Sequence, residues 1–306
     1  MADSGDHMDI GRLLFETGAI RVAPDDKPFW YTSGTIGPYY SNTQNLIGGE
    51  AEAGELLGLM DGWLSGDRLL LPGKVTRRIY EAYTVSACYR TVAGLIEKRV
   101  GENAGAAEID VVSGGARRDW FFSFMTAALL NKPHLTIYKD LSMVLSEPWK
   151  INSGAGTQKD KAVPVNAGDL SGMRCIHVSD IITEASSYER AWLPALACAG
   201  ASINMSLTVL DRAQGGKEFL ESRGVKLFSV ETLDAKFWKN ALKRGYIDGG
   251  QYKTLINYFA DPNAAMRTFL TEHPEFIKNA LSAGGKETER ARMCLDSGVY
   301  GCAAGQ

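Results

Sequence analysis

One polar turn carries much of the chemistry available to this chain. The stretch "VSDIITEASSYERAW", residues 178–192, runs from an apolar strand-like segment through a short turn into a helix-like one. Asp180 falls at the end of the strand, and Thr183, Ser186 and Ser187 fall in the turn beyond it. Unpaired N–H groups and the positive end of a helix dipole converge at such a turn, and hydroxyls add donors, so the pattern suits an anion and a phosphate above all. The same residues also suit a plain helix start, with Ser186 or Ser187 as the N-cap.

Other segments share this form. "IDVVSGGARRDW" (109–120), "HLTIYKD" (134–140) and "INMSLTVLDRAQGG" (203–216) are likewise apolar bursts ending in polar turns, as is the whole of "RCIHVSDIITEASS" (174–187). "WFFSFMTAALLN" and "YERAWLPALACAGA" lie between them, each about one crossover helix long. Strand, turn, helix, strand with continuous apolar runs predicts a doubly wound α/β core whose mainly parallel sheet is covered on both faces. Ligands in such sheets sit at the carboxyl ends of the strands, where these turns fall.

Around that core the sequence predicts a helix over 9–17 with Gly18 as C-cap, and a hairpin or irregular strand pair in the aromatic, Gly- and Pro-containing stretch 28–46. Helical spacing recurs over 50–64 and 76–99, the second with Ile79, Ala82, Ser86, Tyr89, Ala93 and Ile96 on one face. Residues 141–170 have no clear period and suit a long mobile loop over the site, with ordinary surface disorder as the rival reading. From 236 to 306 the chain becomes helical and amphipathic in pieces, which predicts a C-terminal helical extension.

With 306 residues, 45% of them apolar, the chain can close a substantial core. Its 33 basic and 36 acidic residues leave a net charge of −3, which argues against nucleic acid or a membrane surface as the main partner. Five scattered cysteines without C-x-x-C spacing read as reduced, mostly buried thiols. The N-terminus has acidic residues where a signal peptide needs a basic flank, and no run of about 18 apolar residues occurs, so the expectation is a cytoplasmic protein.

"CIHVSDIITEASS" resembles the phosphoribosyl-pyrophosphate (PRPP) motif of type I phosphoribosyltransferases: a hydrophobic strand, two acidic residues, two apolar ones and a phosphate loop. "LLFETGAI" with "YTSGTIGPYYSN" is similar to the opening of the orotate type, "DVVSGGARR" to its pyrophosphate loop and "VLDRAQGG" to its substrate-binding turn. Four segments in the right order over residues 9–235 are far more specific than any one of them. The resemblance implies a phosphoribosyltransferase-like domain over 1–235, with a hood at 1–50 and a core at 76–235, followed by the extension at 236–306.

It also implies roles. Asp180 would hold the ribose hydroxyls and offset charge at the anomeric carbon, with Arg118 and Lys139 as its catalytic companions. Ser179 and the run Thr183, Glu184, Ala185, Ser186 and Ser187 would take the 5′-phosphate, and Arg117 or Arg118 the pyrophosphate. Tyr39, Tyr40, Thr32 and Arg212 would contact the base, Arg212 through the carboxylate of orotate. Magnesium would arrive with PRPP, and no dedicated metal cage is visible in the sequence. The partners implied are PRPP, a nucleobase of pyrimidine nucleotide synthesis, and a second copy of the chain in a homodimer.

Several positions depart from the pattern. Ser179 replaces the first acidic residue, which removes one negative charge. Glu184 and Ala185 stand where a small or hydroxyl residue and a glycine belong, adding a charge and a Cβ beside the phosphate. Thr32 replaces the hood lysine, and Asp119 replaces a glycine after the pyrophosphate loop. The segment expected to be the catalytic loop offers Lys139 and Lys150 but no histidine. Of the four histidines His7, His134, His177 and His273, only His134 and His177 lie in core strands, where they read as packing residues. Two readings stay open: an enzyme of the orotate type, and a non-catalytic protein of that fold that binds nucleotide or PRPP in a regulatory role.

Overall fold

The four apolar runs that end in polar turns supply the central strands of one seven-stranded sheet. The structure, a computed structural model, describes residues 10–104, 106–149 and 162–301. In chain order, α1 (Ile10–Glu16), β1 (Ile20–Val22), β2 (Phe29–Trp30), β3 (Ile36–Gly37) and β4 (Tyr39–Ser41) precede a 3-10 turn at Thr43–Ile47. The helices α2 (Glu50–Leu64), α3 (Leu71–Val85) and α4 (Ala87–Asn103) lead to β5 (Val111–Gly115), α5 (Trp120–Leu129), β6 (His134–Ile137), β7 (Met143–Ser146), β8 (Val163–Val165) and β9 (Arg174–Ile182). A π-helical turn at Tyr188–Trp192 runs into α6 (Leu193–Ala199), followed by β10 (Ser202–Asp211), α7 (Gly216–Ser222) and β11 (Lys226–Thr232). Then come α8 (Ala235–Lys243), α9 (Gly249–Ala260), α10 (Pro262–Glu272), α11 (Glu275–Ala283) and α12 (Gly285–Ser297).

Two compact units divide the chain, one formed by 1–19 and 43–234, the other by 20–42 and 235–306. The first holds the sheet, in the order β11-β10-β9-β5-β6-β7-β8. From β11 to β6 all neighbours are parallel, whereas β7 and β8 add antiparallel strands at one edge. The chain leaves β5 for β6 on one side and β9 for β10 on the other, so strand order reverses between β5 and β9. A doubly wound sheet opens a crevice at that reversal, beyond the carboxyl ends of the two strands.

Close packing dictates the residues that end β5. A Cβ at Gly115 would lie 2.2 Å from the Trp192 ring, and one at Gly114 would lie 2.1 Å from Ser123 Oγ. Only glycine lets both layers of helix approach the strand this closely. His134 and His177 are 2% and 0% exposed, in keeping with packing roles.

The second unit joins the hood strands to the C-terminal helices. Tyr39 is buried against Trp238 and Phe259, with ring centroids 5.4 and 5.6 Å away, and Trp30 stacks on Phe276 at 5.3 Å. The Tyr300 hydroxyl accepts from the Ile36 N–H at 3.0 Å. The segment 20–42, read from sequence as part of the 1–235 domain, thus has its packing partners beyond residue 235.

Three elements differ from expectation. The helix read over 76–99 is two helices, because Ser86 takes an extended backbone and caps α4 by accepting from the Tyr89 N–H at 3.1 Å. The loop read over 141–170 contains β7 and β8, an edge hairpin too short to show a period; residues 150–161, including Lys150, lie outside the described residues. β11 closes the opposite edge, a strand that the apolar-run pattern does not announce. Cys175 and Cys294 are buried, Cys88 is half-buried and Cys198 exposed, so burial of the thiols holds for part of the set; Cys302 and His7 lie outside the described residues.

The Gly115–Trp192 contact is testable. Gly115→Ala should destabilise the chain in urea unfolding by about 1–3 kcal/mol, the usual cost of overpacking, and Gly115→Ala with Trp192→Leu should recover part of the loss. An unchanged midpoint in the single variant would mean that the ring does not cover the strand end.

Candidate functional site

The crevice beyond β5 and β9 is a cleft of about 370 Å³. Its wall on the β5 side is the loop Ala116–Asp119, in which the Ala116–Arg117 peptide is cis. The opposite wall is the run Ser179–Ser187, with Tyr188 and Trp192 behind it and Lys139 at the margin. Asp180, Arg118, Lys139, Arg117, Ser179, Thr183, Glu184, Ala185, Ser186 and Ser187, singled out from sequence, all line this one space.

Asp180 is 6% exposed. Its Oδ1 accepts from the Ile181 N–H at 2.7 Å and its Oδ2 from the Thr43 hydroxyl at 3.0 Å. Burial, and then the neighbouring charge of Asp119, hold its carboxyl well above the usual carboxylate range, opposed by Arg118. Asp119, 7% exposed, accepts from the Asp180 N–H through Oδ1 and from the Gly115 N–H through Oδ2, each at 3.0 Å. In the sequence Asp119 reads only as a lost glycine. The signal that it belongs to the site is its position at the end of a central strand, where the topology brings it to Asp180.

Ser179 points elsewhere. Its hydroxyl accepts from Tyr188 Oη at 3.0 Å, and the same phenol meets Ser206 Oγ at 2.6 Å. Burial pushes the Tyr188 hydroxyl up, so it stays protonated and available as the donor. The position that is acidic in the resembled motif is therefore part of a neutral buried network.

The turn after β9 lines the cleft from Thr183 to Ser187. Ala185 adopts φ 58°, the left-handed conformation for which a glycine is normally required, and is 4% exposed. Glu184, Ser186 and Ser187 are exposed along the rim, and the helical turns from residue 186 onward begin there. Thr183 is half-buried, its carbonyl accepting from the Gly216 N–H at 2.9 Å.

Cations sit across the cleft. Arg118 and Lys139 are exposed at its edge. Arg117 is ion-paired with Asp61 of α2. Arg212 follows β10, where its N–H donates to the Ile182 carbonyl at 3.0 Å, and it is not one of the residues lining the cleft. Thr32, Tyr39 and Tyr40 belong to the second unit. There Tyr39 is 1% exposed, its ring enclosed by other aromatics and not offered to a ligand. Tyr40 is half-buried and lines a depression of about 500 Å³ with Arg21, Lys27, Phe29 and Arg290, and Thr32 is exposed.

No model of a known protein family matches the chain. It is 30% identical over 90 residues to an orotate phosphoribosyltransferase of Saccharolobus solfataricus, covering 29% of this chain and 45% of that protein. It is 27% identical over 150 residues to one of Sulfolobus acidocaldarius, covering 49% of this chain and 65% of that protein. The matched regions thus span less than two thirds of these relatives' own length. Among solved structures, UMP synthase of Leishmania donovani shares the fold at a TM-score of 0.52 and 16% identity, over 88% of this chain and 43% of that one. Among the described residues, no helix is long and apolar enough to cross a membrane.

Asp180's burial sets a pH dependence. Between the ordinary carboxylate pKa and the raised one, the folded chain holds a proton that the unfolded chain has released. Stability is therefore lost as pH rises through that window. Asp180→Asn should raise stability by about 1–3 kcal/mol near pH 8 and by little near pH 4, since each tenfold difference in proton affinity between the folded and unfolded chain is worth roughly 1.4 kcal/mol. Thermal melts across pH check this, and a gain independent of pH would contradict it.

Proposed function

We propose that this chain, an orotate phosphoribosyltransferase-like protein with the type I phosphoribosyltransferase fold, transfers a phosphoribosyl group from PRPP to a nucleobase, orotate or a relative of it. The observation that carries the reading is the convergence of the turn after β9, a buried carboxylate and two cationic side chains on one cleft at the sheet's switch point.

In this reading the 5′-phosphate sits against the backbone and hydroxyls of Thr183–Ser187, where helical turns begin. The bond from the anomeric carbon to the pyrophosphate oxygen breaks as a ring nitrogen of the base supplies the electron pair of the new bond. Asp180 offsets the positive charge that develops on the sugar, and Thr43 and the Ile181 N–H fix its orientation. Arg118 and Lys139 face the departing pyrophosphate, and magnesium enters as part of the PRPP complex. Arg117 joins them once its pair with Asp61 opens; with Asp61 59% exposed, that pair is weakly held. Arg212 follows β10 and does not line the cleft, so no contact with the base is assigned to it.

A second reading, nucleotide or PRPP binding without turnover, draws on the Arg117–Asp61 pair and on Glu184 at the phosphate rim. Pyrophosphate release from PRPP, magnesium and orotate separates the two. Turnover is expected, with Arg118→Ala slower by about 10²–10³, the usual effect of removing one transition-state donor. Calorimetric binding of PRPP without release would favour the second reading. If neither release nor binding occurs, both are wrong.

A further inference from the structure

The cleft has a second carboxylate in a place that the sequence motif does not provide for. In the resembled motif, two adjacent residues at the end of the strand are acidic, and here the first is Ser179. That serine cannot substitute for the missing charge, since its hydroxyl is engaged by Tyr188 and the Tyr188 phenol is shared with Ser206. Successive residues of a strand point to opposite faces, so Ser179 and Asp180 diverge. Asp119 arrives from β5 instead, and its carboxylate accepts the N–H of Asp180 itself at 3.0 Å.

Both carboxylates are oriented from behind. Asp119 uses one lone pair on each oxygen for the Gly115 and Asp180 N–H groups, and Asp180 uses one on each for Ile181 and Thr43. A carboxylate has about four acceptor positions, and the two carboxyls also meet each other, so each keeps at least one for a ligand, and both residues line the cleft. Behind Asp119 lies a further polar group. The Cys175 thiol donates to Ser113 Oγ at 3.1 Å, and Ser113 Oγ lies 2.9 Å from His177 Nδ1. With Ser113 donating there, the His177 proton is on Nε2, which has no hydrogen-bond partner and lies 3.6 Å from Asp119 Oδ2. A wholly buried imidazole N–H thus faces the Asp119 carboxylate and limits how that side chain can turn.

We propose that Asp119 is the second acidic residue of a sugar-binding pair, accepting from the vicinal hydroxyls of a pentose 5-phosphate beside Asp180, with His177 as its positioning residue. The proposal rests on the reading that a pentose phosphate occupies the cleft. The departures at positions 119 and 179 then compensate: the charge lost from β9 returns from β5. Two carboxylates side by side match a diol, which offers two O–H donors, whereas inorganic phosphate offers no such pair and needs only the turn after β9.

Calorimetric titration with ribose 5-phosphate, 2-deoxyribose 5-phosphate and inorganic phosphate tests this on the full chain. The unaltered protein should bind ribose 5-phosphate more tightly than its 2-deoxy analogue. Asp119→Asn should weaken ribose 5-phosphate by about tenfold to hundredfold, as for loss of a hydrogen bond to a charged group, and leave inorganic phosphate unchanged. His177→Gln should give a smaller loss with the same selectivity. Equal weakening of sugar phosphate and phosphate in Asp119→Asn would mean that Asp119 only braces the loop, and unchanged affinity for both would remove it from the site. Either result overturns the proposal while the parent reading stands. If Asp119→Asn does not fold, the comparison of ribose with 2-deoxyribose on the unaltered chain decides: no preference overturns it. Failure of the unaltered protein to bind any of the three ligands overturns the parent reading and this proposal together.

Discussion

The site depends on what happens to two backbone N–H groups where β5 and β9 part. Their parallel pairing ends at Ser113 with His177, so Gly115 and Asp180 have no ladder partner on each other's strand. A buried N–H without an acceptor costs about as much as a lost hydrogen bond. The Asp119 carboxylate accepts both, one through each oxygen. It ties the ends of the two central strands across the gap in which a ligand must sit. Everything described as chemistry hangs from that tie: the backbone of Asp180, the entry to the loop of Arg117 and Arg118, and the separation of the walls.

The same tie has an electrostatic cost. Burial and the neighbouring charge of Asp119 both disfavour ionisation of Asp180. Arg118 opposes this for Asp180. Such a pair is stable only while hydrogen bonds and a nearby cation hold it, and it gains when a ligand brings hydroxyl donors. A site strained in this way before binding is better suited to taking up a polar substrate than to standing empty as a structural feature.

Much of this cleft is legible in the sequence because an apolar run that stops at a polar turn reports both a buried strand and its exposed end. That is why Asp180, Thr183 and Arg118 can be named from order and residue type, and why they converge. Asp119 can be seen but not interpreted, since its meaning lies in adjacency to Asp180 across two strands distant in sequence. Tyr39 fails differently: paired tyrosines in a Gly- and Pro-rich stretch look alike whether they face a ligand or a core, and only the Trp238 and Tyr258 rings, far along the chain, show that Tyr39 is packed. The break at Ser86 is hidden because the apolar spacing carries on through it, with Tyr89 buried on the far side of the cap.

The turn after β9 shows how a departure from a motif can be accommodated by packing. An alanine in the left-handed region costs roughly 1–2 kcal/mol relative to an ordinary conformation. Ala185 stays there because its methyl group is buried in the cluster that contains Tyr188, Trp192 and Leu196, so the packing that glycine would forgo offsets part of the strain. The Glu184 carboxylate is exposed at the rim, where water and salt screen it over about 8–10 Å. The left-handed turn is thus retained despite the added Cβ, and the added charge stays at the rim.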